Sequence, residues 1–291
     1  MPSPLIQWFP GHMAKTRRLI AENLKLVDLV IELLDARIPI SSKNPEIDKL
    51  VGQKPVLTVL AKASLADPDL SRRWQSFYRR HGRKAVVADF LSGIGIQEIT
   101  SSARELLADK LERYDARGMT GRTLKAMVVG IPNVGKSSFI NRLSGGRKAK
   151  VENRPGVTLN KQWVTTAAGF DLLDMPGVLW PKFEDQAVGE NLAMTGAIKE
   201  DILDLERVAA ALCERLRRMY PSLLCARYKL GEMDQYSSLR GDELLELIGR
   251  KRGFLLSGGE VDTERTSHML LNEFQSAKIG RITLEMPEAE R

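Results

Sequence analysis

The sequence predicts an α/β protein, a mostly parallel sheet flanked by helices, followed by a smaller all-helical domain. Three observations carry this prediction. Short apolar runs alternate with stretches of helical periodicity through the first 185 residues, the pattern of right-handed βαβ units. A glycine-rich loop stands directly between one apolar run and a helix-like stretch. Beyond about residue 185 helical periodicity continues without convincing strands, which sets the expected domains at 1–185 and 186–291.

The elements follow in order. Residues 13–26 read as a helix, and Leu29-Val30-Ile31-Glu32-Leu33-Leu34 as a buried strand ending at Asp35-Ala36-Arg37. A second strand is expected over 56–60. Trp74, Phe77, Tyr78 and His81 fall on one helical face, ahead of a short strand at 85–87 and a single helix over about 97–111. Two further strands are expected at 126–129 and 170–173, with a helix-like run at 138–143 between them. In the second half Leu205, Val208, Ala209, Leu212, Leu216 and Met219 mark one stripe of a long amphipathic helix. Residues 242–250 and 261–274 repeat the pattern across a turn-rich connector at 253–259.

Composition narrows the class. In 291 residues, 43% are hydrophobic and 28% charged, which excludes a disordered or collagen-like chain. Lys plus Arg number 44 against 37 acids, a net charge of +7, so polyanions are the first partners to consider. Cys213 and Cys225 supply neither a disulfide framework nor a paired CxxC cluster. The opening residues lack a signal-peptide run and no later run approaches a membrane span. A cytoplasmic protein with no membrane and no disulfide partner is expected.

The chemistry centres on Gly130-Ile131-Pro132-Asn133-Val134-Gly135-Lys136-Ser137, which fits GxxxxGK[ST] between a strand and a helix. In that context backbone N–H groups and the helix N-terminus point at phosphate, Lys136 neutralises it and Ser137 ligates magnesium. Asp174-Met175-Pro176-Gly177 ends the 170–173 strand, where Asp174 can hold magnesium through water and the Gly177 N–H can meet a γ-phosphate. Thr158 is spaced to be the switch threonine that closes on magnesium. Alone each is an ordinary turn, but in this order after a P-loop they describe a nucleotide site.

These residues resemble the YlqF/RbgA-type ribosome biogenesis GTPases, a circularly permuted family. The matching pieces are Trp8-Phe9-Pro10-Gly11-His12-Met13, Asp35-Ala36-Arg37-Ile38-Pro39, the P-loop, Gly156-Val157-Thr158 with Gln162-Trp163, Asp174 to Gly177, and Leu179-Trp180-Pro181-Lys182. Thr195-Gly196-Ala197-Ile198 and residues 253–259 are also similar, so the resemblance spans nearly the whole chain. It implies that the guanine-recognition strand precedes the P-loop and is the one ending at Leu60. It also implies GTP hydrolysis with magnesium, GTP and GDP as ligands, and a role in maturing the large ribosomal subunit. By the same resemblance the nucleotide is held by Lys62, Ser64, Asn133, Val134, Gly135, Lys136, Ser137, Ser138 and Gly177. Magnesium falls to Ser137, Thr158 and Asp174, and catalysis to His12, Lys136 and Thr158. Asn133 resembles a P-loop asparagine that helps hold potassium, with a loop-bracing amide as the competing reading. His12 orients water in the one reading, and fixes the Pro10-Gly11 turn or touches RNA phosphate in the other.

The chain departs from the family where guanine is read. The pattern Asn-Lys-x-Asp is here Ala61-Lys62-Ala63-Ser64, and Val87-Ala88-Asp89-Phe90 replaces an expected Ser-Ala. Losing two hydrogen bonds to a charged group predicts GTP weaker by a factor of about a hundred or more, with less preference for guanine. Val178 follows Gly177, so the glutamine that orients water in Ras-like enzymes is absent and turnover without the ribosome is expected to be slow. Basic residues supply the polyanion side. Arg72, Arg73, Arg79, Arg80, Arg83 and Lys84 surround an aromatic face expected to be core. Arg207, Arg215 and Arg218, expected opposite the apolar stripe, and the Arg250-Lys251-Arg252 run are candidates for RNA phosphate. A nucleotide-impaired RNA-binding scaffold and an NTPase of relaxed base specificity stand as alternatives.

Overall fold

The computed structural model describes residues 11–145, 162–177, 179, 185–200 and 203–287. Helix α1 (Gly11–Leu24) leads into β1 (Leu29–Asp35), and α2 (Pro45–Val51), β2 (Val56–Ala61), α3 (Pro68–Arg80) and β3 (Lys84–Val87) follow. Then come α4 (Ile96–Leu106), α5 (Ala108–Asp115), β4 (Leu124–Gly130), α6 (Lys136–Leu143), β5 (Gln162–Thr165) and β6 (Phe170–Asp174). The sheet order is β3-β2-β1-β4-β6-β5. Neighbours pair in parallel except β5, which runs antiparallel to β6 at the edge. Every residue of β1 is buried, as expected of a central parallel strand covered on both faces. The parallel strands all release their loops at one edge, where ligands of open α/β sheets bind.

Local chemistry fixes where the helices begin. Asn44 and Asp67 cap α2 and α3 by accepting from backbone N–H groups, each followed by a proline in the first turn. The single helix expected over 97–111 is two helices. Leu107 turns into the core at 3% exposure and its N–H closes α4 on the Arg104 carbonyl. Helix α5 has no fully buried residue and is held instead by Leu111 packed on the core and Lys110 paired with Asp28, contacts separate from the buried face of α4. Strand β5, not expected from sequence, has exposed Trp163 beside buried Val164 and is too short to carry a readable alternation.

The second half is helical among its described residues: α7 (Gln186–Met194), α8 (Leu205–Met219), α9 (Pro221–Tyr228), α10 (Gly241–Arg252) and α11 (Thr263–Gln275). The expected stripe of α8 buries Val208, Ala209, Leu212 and Leu216. Helix α10 approaches it so closely that a Cβ on Gly241 would stand 2.2 Å from the Ala210 carbonyl oxygen. One buried apolar cluster runs from Leu33 and Val128 in the sheet to Leu212, Ile248 and Ile282, so sheet and helices share a core. After α11 the chain turns back to the sheet, where Ile282 N–H donates to the Leu65 carbonyl (3.1 Å) and Leu284 N–H to that of Arg37 (2.8 Å).

Candidate nucleotide site

The P-loop leaves β4 and enters α6 at the strand-end edge. Gly135, at φ 109°, takes a backbone conformation that side chains disfavour, and Gly177 is hemmed in: a Cβ there would lie 2.9 Å from Pro132 and from Lys136 Nζ. Lys136 is 7% exposed, its Nζ donating to the carbonyls of Gly130 (3.1 Å) and Ile131 (2.8 Å). Burial pulls its pKa down while nearby Asp174 pulls it up. Burial likewise pushes the Asp174 carboxyl up, opposed by Lys136. Asp174 ends β6 beside β4, paired in register with Val128, and its Oδ1 is buried without a hydrogen-bond partner among the described residues. An ionised carboxylate oxygen in that position needs a cation or an ordered water. Ser137 and Ser138 are half-buried in the first turn of α6, and Val134 is buried in the loop.

Asn133, at φ 57°, donates from Nδ2 to the Gly196 carbonyl at 2.7 Å. It therefore ties the P-loop to the end of α7, and its amide oxygen remains the atom that could face a cation.

At the base end, Lys62 has φ 60° and its Nζ lies 3.1 Å from Asp35 Oδ2. Burial lowers the Lys62 pKa and Asp35 opposes that. Burial would raise Asp35, but Arg37 and Lys62 hold its carboxyl well below the usual range. Arg37 grips Asp35 in a bidentate pair (2.9 and 2.7 Å) and stands 5.5 Å from the Phe274 ring centroid of α11. The Asp35-Ala36-Arg37 motif thus joins strand β1, the base loop and the helical half.

Sequence reasoning did not anticipate the partner of Ser64. Exposed Ser64 donates its hydroxyl to Asp89 Oδ2 at 2.5 Å, and Asp89 is 3% exposed. The signal was present as the departure at 87–90, but only the parallel pairing of β2 with β3 brings the two loops together. Nor was Arg281 anticipated: it donates to the carbonyls of Ala63 (2.7 Å) and Ala66 (2.9 Å). Thr158 lies outside the described residues, and His12 is placed as a backbone position in α1 with its side chain outside them.

The basic candidates separate. Arg215 is not on an open face: it pairs with Glu190 at 2.7 Å and donates to the Asn191 side chain, both on α7. Arg252 is engaged by Glu273 at 3.2 Å and lies 5.1 Å from the Tyr228 ring centroid. Both are corrected from candidate phosphate ligands to internal ties, because neighbouring helices cover the side of α8 and α10 from which they project. Arg207, Arg218, Arg250 and Lys251 are exposed. Around α3, Trp74 and Tyr78 are core. Arg72, Arg79, Arg83 and Lys84 are paired with Asp69, Glu98, Asp48 and Glu105, so these cations are largely neutralised by acids.

A P-loop after β4, an aspartate ending neighbouring β6 beside Lys136, and strands β1 to β3 placed ahead of the P-loop in the chain define a P-loop GTPase of permuted strand order. The family model described as 50S ribosome-binding GTPase matches residues 125–215. Ribosome biogenesis GTPase A of Priestia megaterium is 47% identical over 288 residues, covering 98% of this chain and 99% of that protein. The protein of the same name from Bacillus cereus is 45% identical over 284 residues, covering 98% and 95%. The structure titled GNP-bound YlqF from T. maritima superposes with a TM-score of 0.64 at 26% identity, covering 94% of this chain and 99% of that one. The chain belongs to the ribosome biogenesis GTPase A (YlqF/RbgA) family, and is a GTPase.

Proposed function

We propose that this GTPase binds GTP and GDP with magnesium in the cytoplasm, reads guanine more weakly than the family pattern would, and acts in maturing the large ribosomal subunit. The observation that carries the reading is Asp174 Oδ1, buried and unpartnered among the described residues beside Lys136. Ser137, Asp174 and Thr158 are the residues that would hold magnesium, which when bound supplies charge neutralisation of the phosphates. Lys136 binds and orients the triphosphate, and the Gly177 N–H meets its terminal phosphate. The Asn133 amide oxygen is the group proposed for potassium.

His12 is the proposed water-orienting group, since an imidazole can hold or accept a water proton near neutral pH. Position 12 lies in α1, whose Ile20, two turns further on, lines a small cavity with Gly130 and Pro176. Residues 1–185 are proposed to carry the nucleotide chemistry and 186–291 the ribosomal contacts. Arg207, Arg250 and Lys251 are proposed to meet RNA phosphate at one end of the helical half. Thr263, opening α11, bonds Glu206 beside Arg207, and Gly249 beside Arg250 packs on Thr266 of the same helix. Arg218 stands at the other end of α8.

Calorimetric titration with GTP, GDP and ATP, with and without magnesium, tests the reading. Binding of both guanine nucleotides is expected, strengthened by magnesium for GTP, and lost in Lys136→Ala because the only side-chain cation of the P-loop is removed. Unchanged affinity in Lys136→Ala would sink the assignment.

A further inference from the structure

The base end of the site contains a charge that the altered motif conceals. Asp89, at the end of β3, is almost completely buried, and its carboxylate is occupied on every side. Oδ2 accepts the Ser64 hydroxyl (2.5 Å) and the Ser64 N–H (3.3 Å), and Oδ1 accepts the Ser92 N–H (2.9 Å) and hydroxyl (3.0 Å). Burial favours the neutral acid, but these four donors outweigh it and hold the pKa below its ordinary value. At neutral pH the group is ionised, and an ionised carboxylate can only accept. Ser64 has one hydroxyl proton, and it is committed to Asp89. What Ser64 presents outward, from its exposed position, is therefore oxygen lone pairs alone.

We infer that Ser64 and Asp89 together replace the missing aspartate as the guanine reader, Asp89 acting as the positioning residue that makes the Ser64 oxygen an obligate acceptor. The inference rests on the nucleotide site proposed above. Its location follows from the fold. Ala63 N–H donates to the Ala88 carbonyl and Ala88 N–H to that of Leu60, so the two loops are one unit. Phe90 packs on Phe139 of α6 with ring centroids 5.1 Å apart, and a Cβ on Gly135 would lie 3.3 Å from its ring. The Asp89 loop thus abuts the phosphate loop. Arg281 and Ile282 clamp the other side of the base loop through the carbonyls of Ala63, Leu65 and Ala66, which preorganises Ser64.

The sign of discrimination follows from the two bases. Guanine offers N–H donors along the edge that an aspartate would read, whereas adenine offers a ring-nitrogen acceptor there. An oxygen that can only accept attracts the first and repels the second, with one hydrogen bond where the family pattern makes two. Preference for guanine is reduced but keeps its direction.

Competition titrations of GTP and ATP against wild type, Ser64→Ala, Ser64→Thr and Asp89→Asn test this. Ser64→Ala should weaken GTP about five- to tenfold, the value of one hydrogen bond, and leave ATP no weaker and at most about twofold tighter, since the repelling oxygen is gone. Ser64→Thr keeps the hydroxyl and should keep the preference. In Asp89→Asn the shorter Ser92 N–H bond (2.9 Å) outweighs the longer Ser64 N–H bond (3.3 Å) in claiming the amide oxygen, so the amide nitrogen faces Ser64 and turns its hydroxyl proton outward. GTP should weaken and ATP strengthen. An unchanged GTP-to-ATP ratio in both Ser64→Ala and Asp89→Asn would overturn the inference and assign base reading to backbone groups. A wild-type protein that binds neither nucleotide, or a Lys136→Ala variant that binds both undiminished, would overturn the nucleotide site itself.

Discussion

An ionised carboxylate already stands beneath position 64, and this changes what repair of the recognition motif would do. Ser64→Asp would set a second carboxylate against Asp89, where only the Ser64 hydroxyl now sits at 2.5 Å, and two carboxylates in contact cannot both ionise at low cost. Ala61→Asn with Ser64→Asp should therefore strengthen GTP only modestly. Adding Asp89→Asn should release the full gain, about tenfold more, read by GTP competition titration on the two proteins. Equal affinities would mean that Asp89 moves aside without cost. The P-loop was legible in the sequence because its residues are contiguous: Gly135, Lys136 and Ser137 lie in one loop and one helix start. Asp89 was not legible as a partner because 25 residues separate it from Ser64. Arg215 looked like a surface cation because helical periodicity places a residue on a face but cannot say that α7 covers it.

At the scale of elements, strand β1 places Glu32 where neither carboxylate oxygen has a hydrogen-bond partner among the described residues. Arg83 approaches only to 3.6 Å and is also engaged by Asp48. Burial therefore dominates, and the carboxyl is pushed up to about 7. A folded pKa above the unfolded value means that the native state binds more protons between about 4.5 and 7. The stabilisation is complete below that window and lost as pH rises through it, roughly 3 kcal/mol in all. Glu285 is shifted in the same direction by burial. Glu32→Gln should flatten the fall in stability between pH 5 and pH 8, measured by urea unfolding at several pH values; a slope equal to wild type would show that Glu32 titrates normally. The buried run around Glu32 was readable as a strand because parallel strands are apolar on both faces. The glutamate's ionisation was not readable, since it depends on how far Arg83 reaches from the start of β3. The break between α4 and α5 escaped for a related reason: periodicity carries through Leu107, while α5 takes its own contacts through Leu111 and Lys110.

Across the whole molecule, the last described residues bind the halves together. Glu285 accepts from the backbone of Ile40 (2.6 Å) and Ser41 (3.0 Å) and from the Asn191 side chain (2.9 Å), while Trp74 Nε1 donates to its carbonyl (3.0 Å). Tyr220, between α8 and α9, reaches Asp67 and the Thr283 backbone. The tail thus touches the loop after β1, helix α3, the base loop and the helical half at once. The sequence places a change of character near residue 185, yet it carries no sign that the chain returns to the sheet after α11, since a segment of mixed polarity declares its partners only when folded. Glu285→Ala would strand the Ile40 and Ser41 N–H groups without their acceptor and leave the Asn191 amide with the Ser41 hydroxyl as its remaining acceptor among the described residues. Because sheet and helices share one apolar cluster, the loss should be felt by both halves together. We expect a drop of about 2–4 kcal/mol in unfolding free energy with one cooperative transition retained, followed by tryptophan fluorescence and by far-ultraviolet circular dichroism. Trp74 reports on the sheet, and α7 to α11 contribute much of the helical signal, so the two probes should shift to the same new midpoint. Divergent midpoints would mean that the tail, rather than the common core, is what makes the halves fold as one.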